Sequence, residues 1–308
     1  MNPSHVNTAW HLGIDLGGSR IKAVAVTGEG QPLEELAIPF EDSRMEWALR
    51  IGDLVEGLQR RRGWPSSLGL CAPGLASRDG RCIVHMPGRL HGLEGLNWRE
   101  HLGFPGRVSV LNDAHAALLG EAWLGAARGL ENVIMLTLGT GVGGAAIVDG
   151  RLLRGHLGRA GHLGHITLDS RAPNDDVGTP GSLEMAIGNK TVLARSRGRY
   201  STTRALVENA RAGDPEALSL WRESIRGLAV GINSLINVLD PEAVILGGGI
   251  AQAGAELFTS LGDHLAVHEW RPMESQVRIL PAALGDLAGA YGAAFHAMKS
   301  PGALSISR

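Results

Sequence analysis

Cysteine is almost missing from this chain. Cys71 and Cys82 are the only two in 308 residues. A chain of this length buries an ample core without covalent staples, so they read as reduced thiols and the expected compartment is the cytoplasm. Long apolar runs are missing as well. None approaches the roughly 20 residues that span a bilayer, and no membrane partner is expected. The opening MNPSHVNTAW lacks the positive and apolar regions of a secretory leader. Neither sign of charge is in excess. With 29 basic and 31 acidic side chains the formal net charge is -2. There is no Lys/Arg-rich arm or helix-turn-helix before residue 10, so no nucleic-acid partner is expected. What the chain does have is glycine, 44 residues without a G-X-Y period. That points to many tight turns and close backbone approaches in one large or two medium domains.

The stretch from Val108 to Ala146 organises the rest. Val108 to Leu111 is a short β-rich run that delivers Asn112 and Asp113 to a strand end, where an Ala-rich helix begins. Such a pair serves either as a plain N-cap or as a functional couple. Val133 to Leu138 is a second apolar strand, followed by Gly139-Thr140-Gly141-Val142-Gly143-Gly144. Glycines there let backbone N–H groups approach a ligand closely, and with a hydroxyl beside them they suit phosphate oxygens. One strand end offers a base and the next an anion cradle, the two parts phosphoryl transfer needs.

The chain also resembles itself. HLGIDLGGSRIKAVAV, from His11, and MLTLGTGVGGAAIV, from Met135, both read as strand, glycine turn, strand, and Gly30 and Gly150 close the hairpins. This pair predicts two duplicated α/β lobes around a central cleft, with ligands at the carboxyl ends of strands. Asp15 would then lie near a triphosphate, holding Mg²⁺ through water or orienting phosphate. A helix is predicted over 44–62, with Trp47, Ile51, Leu54, Val55 and Leu58 on its core face. Strands are predicted at 67–71, 243–246 and 276–281, and helices at 202–212, 216–239 and from 284 onward. The tail after Pro301 is expected to fray.

Between the second hairpin and the next helices stands GHLGRAGHLGHI, residues 155–166. Three histidines in ten residues invite a metal reading, but structural zinc sites are thiolate-rich and this loop has no cysteine. A polar loop for sugar hydroxyls is the better reading, and no metal ligand is assigned. Glu184 opens a helix. It either points into the cleft or complements the helix dipole. Gly247-Gly248-Gly249, after the strand at 243–246, is a third glycine cluster that lets a flat adenine or a ribose approach the backbone.

These motifs together resemble the ROK family (repressor, open reading frame, kinase) of the actin-like ATPase superfamily, from Gly13 to Met298. GIDLGGSRIKAV at 13–24, APG at 72–74, LNDAHAALLGE at 111–121, LTLGTGVGGAAIVDG at 136–150, ILGGGI at 245–250 and LGDLAGAYGAA at 284–294 occur in the family's order. The resemblance implies an α/β fold of two actin-like, ribonuclease H-like lobes. The small lobe would cover 1–112, completed by a helix at 290–308, and the large lobe 113–289. It implies ATP with Mg²⁺ as donor, a hexose as acceptor, transfer to the 6-hydroxyl as in a glucokinase, and a homodimer. Asp113 becomes the general base. Gly74, Asn112, His162, His165 and Glu184 join it as sugar-side residues. Asp15, Gly17, Gly18, Ser19, Lys22, Gly139, Thr140, Gly141, Gly143, Gly247, Gly248 and Gly249 become the nucleotide side. An N-acetylhexosamine kinase, a polyphosphate-dependent phosphotransferase and a non-catalytic sugar-binding protein are the alternatives. Arg151, Arg154 and Arg159 are the residues a polyphosphate would use.

Departures from the family pattern are informative. Ser19-Arg20 replaces the usual Thr-Lys. GHLGH at 161–165 puts His162 where the family carries a sugar-binding glutamate. Asp175, Val177 and Ser182 occupy the zinc-thiolate positions, so a family-type zinc knuckle is not expected. Met86-Pro87-Gly88-Arg89 replaces a loop that usually supplies a sugar-contacting asparagine.

Overall fold

A computed structural model describes residues 9–300. The first eight residues and the tail beyond 300 lie outside it, and with them the expected fraying and part of the predicted 290–308 helix. The chain divides into two compact units, residues 9–128 with 154–159 and 286–300, and residues 129–153 with 160–285. No helix among the described residues is long and apolar enough to cross a membrane.

The first unit is built from β1 (Trp10–Leu16), β2 (Arg20–Thr27), β3 (Pro32–Pro39), α1 (Glu46–Arg62), β4 (Ser67–Ala72), β5 (Leu75–Ala76), β6 (Ile83–His85), α2 (Trp98–Leu102), β7 (Val108–Asn112) and α3 (Asp113–Leu124). The second contains β8 (Val133–Leu138), β9 (Val142–Val148), β10 (Arg151–Leu152), α4 (Leu183–Ile187), α5 (Val192–Arg195), α6 (Thr203–Arg211), α7 (Pro215–Leu239), β11 (Ala243–Gly247), α8 (Ala255–His268) and β12 (Arg278–Pro281). The chain then returns to the first unit as α9 (Ala288–Lys299). The main sheets run β3-β2-β1-β4-β7 and β10-β9-β8-β11-β12. In each, the first three strands are antiparallel and the last two parallel to the central one.

The boundary after Arg128 differs from the 112/113 boundary read from sequence. Helix α3 stays with the first unit because glycines let it lie directly on α9. A Cβ at Gly292 would overlap the Ala116 carbonyl, and one at Gly120 would overlap that of Ala288. Gly13 of β1 and Gly69 of β4 admit the α9 backbone in the same way. Trp47, Ile51, Leu54, Val55 and Leu58 are buried, as the stripe on α1 predicts. In the second unit Trp221, Ile225, Leu228, Ile232, Leu235 and Ile236 of α7 join the core that carries β8 and β11. Helix α7 starts cleanly because Asp214 accepts from the N–H groups of Glu216 and Ala217, with Pro215 in its first turn.

Candidate active site

In the first unit, β1 and β2 are joined by a turn closed by the Gly17 N–H on the Arg20 carbonyl, 3.0 Å. Gly18 and Ser19 stand exposed at its tip. The guanidinium of Arg89 donates to the Gly18 carbonyl at 2.8 Å. Asp15 is paired across the hairpin with Lys22, whose Nζ lies 3.8 Å from Asp15 Oδ2. The Cys71 thiol donates to Asp15 Oδ1 at 3.5 Å. Gly289, at the start of α9, makes room for this carboxylate, since a Cβ there would sit 3.0 Å from it. Burial pushes the Asp15 pKa up to about 6. Lys22 pulls it down, and the charges of Asp113 and Asp286 push it further up. Burial pushes the Cys71 thiol up as well, with Asp15 adding to it, so Cys71 is a proton donor here and not a nucleophile.

Asn112 closes β7 and caps α3. Its side-chain oxygen accepts from the N–H groups of Ala114 and His115 at 3.0 and 3.2 Å. Its amide donates to the Gly74 carbonyl at 3.0 Å and to Asp113 Oδ1 at 2.9 Å. Both amide protons and both lone pairs are thereby engaged within the protein, which makes Asn112 the residue that orients Asp113. Gly74 supplies an anchoring carbonyl from a left-handed turn, φ 98°, where a side chain would collide with His85 and Met86. Asp113 Oδ1 also accepts from the Ala114 N–H at 2.8 Å.

In the second unit, β8 ends in the Gly139-Thr140-Gly141 turn, closed by the Gly139 N–H on the Gly141 carbonyl at 2.9 Å. Glu184 is 7% exposed, and its Oε2 accepts from the Val142 N–H at 2.9 Å. Its other oxygen pairs with Lys190, which also meets Asp176 at 2.6 Å. The N–H groups of Asn189 and Lys190 donate to the carbonyls of Gly139 and Thr140, 3.0 and 2.9 Å. Glu184 thus buttresses the glycine turn, a third role beside the two read from sequence. Two N–H groups of the expected anion cradle are already engaged, that of Gly139 inside the turn and that of Val142 on Glu184. Gly143 lies within β9 opposite Thr137, so it belongs to the strand and not to the turn.

The histidine loop packs on the start of β9 through glycine contacts. Side chains at Gly144 or Gly164 would collide with Gly161 and Val142 respectively. This places His162 and His165 beside the glycine turn within the same unit. His165 Nδ1 meets Asp175 Oδ2 at 2.7 Å. With the proton on Nδ1, Nε2 is left as an acceptor. Asp175 also accepts from the N–H groups of Val177 and Thr179, at 3.0 and 2.9 Å. Burial raises its pKa, but the His165 ring and these backbone donors overcome that and hold it at about 2. The residues at the family's zinc positions do not fit zinc. Val177 has no donor atom and is 61% exposed, while Asp175 already ties His165 to the loop. Among the described residues no group of three or more His, Cys, Asp or Glu could hold a metal ion.

A cavity of about 460 Å³ opens beside the glycine turn, between α6 and the short turn Gly249–Ala253. Of the nucleotide-side glycines, Gly139 and Gly249 line it, together with Thr140. Gly248 instead lets the β11 turn press on the Leu138 backbone, with φ 85°, and Gly247 completes β11. Thr203, Arg204, Glu208 and Gln252 also line the cavity. None of them carries a sequence signal beyond Thr202 as the N-cap of α6. The Thr203 hydroxyl is buried with no protein partner, an orphan that a nucleotide base or ribose would satisfy. An adenine nucleotide fits this lining. In the first unit, the acidic surroundings of Asp15, offset by Lys22 alone among its named partners, suit a hydrated Mg²⁺.

The family model described as the ROK family matches residues 11–300. A glucokinase from Halalkalibacterium halodurans is 30% identical, over 92% of this chain and 93% of its own. A β-glucoside kinase from Klebsiella pneumoniae is 30% identical, over 92% and 94%. The crystal structure of a ROK-family glucokinase from Streptomyces griseus with glucose and AMPPNP superposes with a TM-score of 0.79. It is 26% identical and covers 95% of this chain and all of that one. By sequence over nearly its whole length and by the two mixed α/β units that carry it, the chain belongs to the ROK family.

Proposed function

We propose that the protein is an ATP-dependent sugar kinase that transfers the γ-phosphoryl group to a hexose hydroxyl, the 6-hydroxyl in the first instance. The observation that carries this reading is Asp113, the first residue of α3 just past the end of β7, with its carboxylate aimed by the Asn112 amide. In the reaction the sugar hydroxyl gives its proton to Asp113 as its oxygen bonds to the γ-phosphorus. The bond from that phosphorus to the β-γ bridging oxygen breaks, and ADP leaves. Asn112 acts as a positioning residue, because its own polar atoms are engaged. Asp15 would hold a hydrated Mg²⁺, which would supply charge neutralisation at the phosphates. Thr140 and the 139–141 turn meet the phosphates, and the α6 cavity takes the nucleoside. Little covalent chemistry is asked of the protein, so positioning and charge supply the acceleration.

On the sugar side, His165 offers Nε2 as an acceptor and His162 stands beside it. A neutral imidazole offers one donor and one acceptor where a carboxylate offers only acceptors. This favours a substrate whose 2- and 3-positions differ from those of glucose in their hydrogen-bonding needs, an N-acetylhexosamine among them. Polyphosphate is the weaker donor reading. Arg154, one of its candidate contacts, is already bound to the Ser77 carbonyl at 2.9 Å. The test is a phosphorylation screen of hexoses and N-acetylhexosamines, run with ATP and with polyphosphate. Turnover of at least one sugar with ATP is expected. ADP-free turnover with polyphosphate alone, or none with any sugar, would overturn the reading.

A further inference from the structure

The first unit contains a second concavity that the proposed kinase chemistry does not use. It is a groove of about 950 Å³ formed by the turn before β6, the approach to α2, α2 itself and the loop before β7. Arg81, Arg99 and Arg107 line it, with Glu100 as the one acidic lining residue. Three guanidinium groups stand against Glu100 and against Asp79, which pairs with Arg81, and this leaves the groove positive in a chain whose formal net charge is -2.

The bonds these arginines make inside the protein leave donors to spare. Arg81 Nε lies 3.2 Å from Asp79 Oδ2, and the other oxygen of Asp79 takes the Ser77 hydroxyl at 2.7 Å. Arg99 reaches the Pro105 carbonyl only at 3.4 Å. Arg107 donates one terminal nitrogen to the Asp79 carbonyl, yet its Nε is buried without a partner. A guanidinium has five N–H donors, and a buried one left unmade is costly. The positive field extends inward. His296 is held down to about 4 by burial, reinforced by Arg154 and then Arg107.

We propose that this groove binds a small phosphate-bearing anion, at a site separate from the nucleotide cavity of the second unit. Arginine forks match phosphate oxygens in pairs, and the exposed guanidinium groups of Arg81 and Arg99 keep donors for such an oxyanion. The groove is concave and its charge is confined to a few side chains, which suits a small molecule and not an extended polyanion.

Cys82 lines the groove and is partly exposed, whereas Cys71 is buried, so Cys82 is a local reporter. The experiment follows alkylation of Cys82 by neutral iodoacetamide on the full chain, by mass spectrometry, in rising inorganic phosphate or glucose 6-phosphate. Saturable slowing is expected. Equal protection by both anions assigns the site to the phosphate group alone, and protection by glucose 6-phosphate only assigns it to a sugar phosphate. The double variant Arg81→Glu, Arg99→Glu should lose the protection and keep turnover measured without added phosphate. In it, the rate advantage of an anionic disulfide reagent over a neutral one should fall by about tenfold. If charge reversal unfolds the chain, Arg81→Gln with Arg99→Gln gives the same test. A Cys82 rate that ignores both anions, or protection that survives undiminished in the folded double variant, overturns the proposal. Neither result bears on whether the protein phosphorylates a sugar.

Discussion

The two units use one sheet topology to different chemical ends. The hairpin β1–β2 and the hairpin β8–β9 each open a five-stranded sheet with the same strand order and directions. Their registers place Asp15 opposite Lys22 in one, and Thr137 opposite Gly143 in the other. The first hairpin therefore ends in charge, with a partly buried carboxylate whose pKa is pushed up to about 6. The second ends in a neutral glycine turn whose backbone is pinned from outside by Glu184, Asn189 and Lys190. The two scaffolds match, and a few turn residues set what each end carries. On the proposed reading, the metal falls to the first unit, and the phosphate-side turn and the base-binding cavity to the second.

The division breaks most sharply at Asp113. Asp113→Asn should lower kcat by about a hundredfold or more, with nucleotide affinity nearly unchanged, because the cavity lies in the other unit. Steady-state turnover together with equilibrium AMPPNP titration checks both halves. Near-normal turnover would remove Asp113 from the base role.

The scaffolds differ in how tightly a helix lies on them, and Gly292→Val tests that. Its added atoms would strike the Ala116 carbonyl of α3, so a loss of about 3 kcal/mol is expected in denaturant unfolding. Gly249→Ala, where a Cβ meets nothing within 4 Å, should leave stability within about 0.5 kcal/mol while altering nucleotide affinity. Equal stability losses at the two positions would contradict the packing argument.

Charge in the first turn predicts a pH signature. The folded pKa of Asp15 is about 6 against 3.8 for the free side chain. The native state therefore binds this proton more tightly, and the contribution of Asp15 to stability falls as pH rises from about 4 to about 6. Above that window its ionised form is a net cost, of order 3 kcal/mol. Asp15→Asn should raise Tm at pH 7.5 in metal-free buffer and leave it unchanged near pH 3.5, as thermal unfolding at the two pH values checks. A lower Tm at pH 7.5 would show that Lys22 outweighs the burial.

The smallest effect is expected at His162. His162→Glu should shift the ratio of kcat/KM for glucose over N-acetylhexosamines toward glucose by about tenfold, the size of one charge-assisted hydrogen bond. An unchanged ratio in both His162→Glu and His162→Ala would place His162 away from the sugar.

The sequence by itself determined the repeat, the strand ends and the identity of the family. Glycine turns after apolar strands and an Asn-Asp pair before an Ala-rich helix are local signals that survive without coordinates. Periodicity likewise found α1 and α7 to within a residue or two. Tertiary structure decided the rest, because those properties depend on residues far apart in the chain. Helix α3 joined the first unit through Gly120 and Gly292, residues 172 positions apart. Glu184 reads as a helix-start glutamate until the fold brings it to the Val142 N–H, 42 residues away. Thr203 and Gln252 carry no motif, and only the packing of α6 against the Gly249 turn makes them walls of one cavity. A turn is encoded by what its residues can adopt, whereas a buttress or a pocket is encoded by what the folded chain leaves beside it.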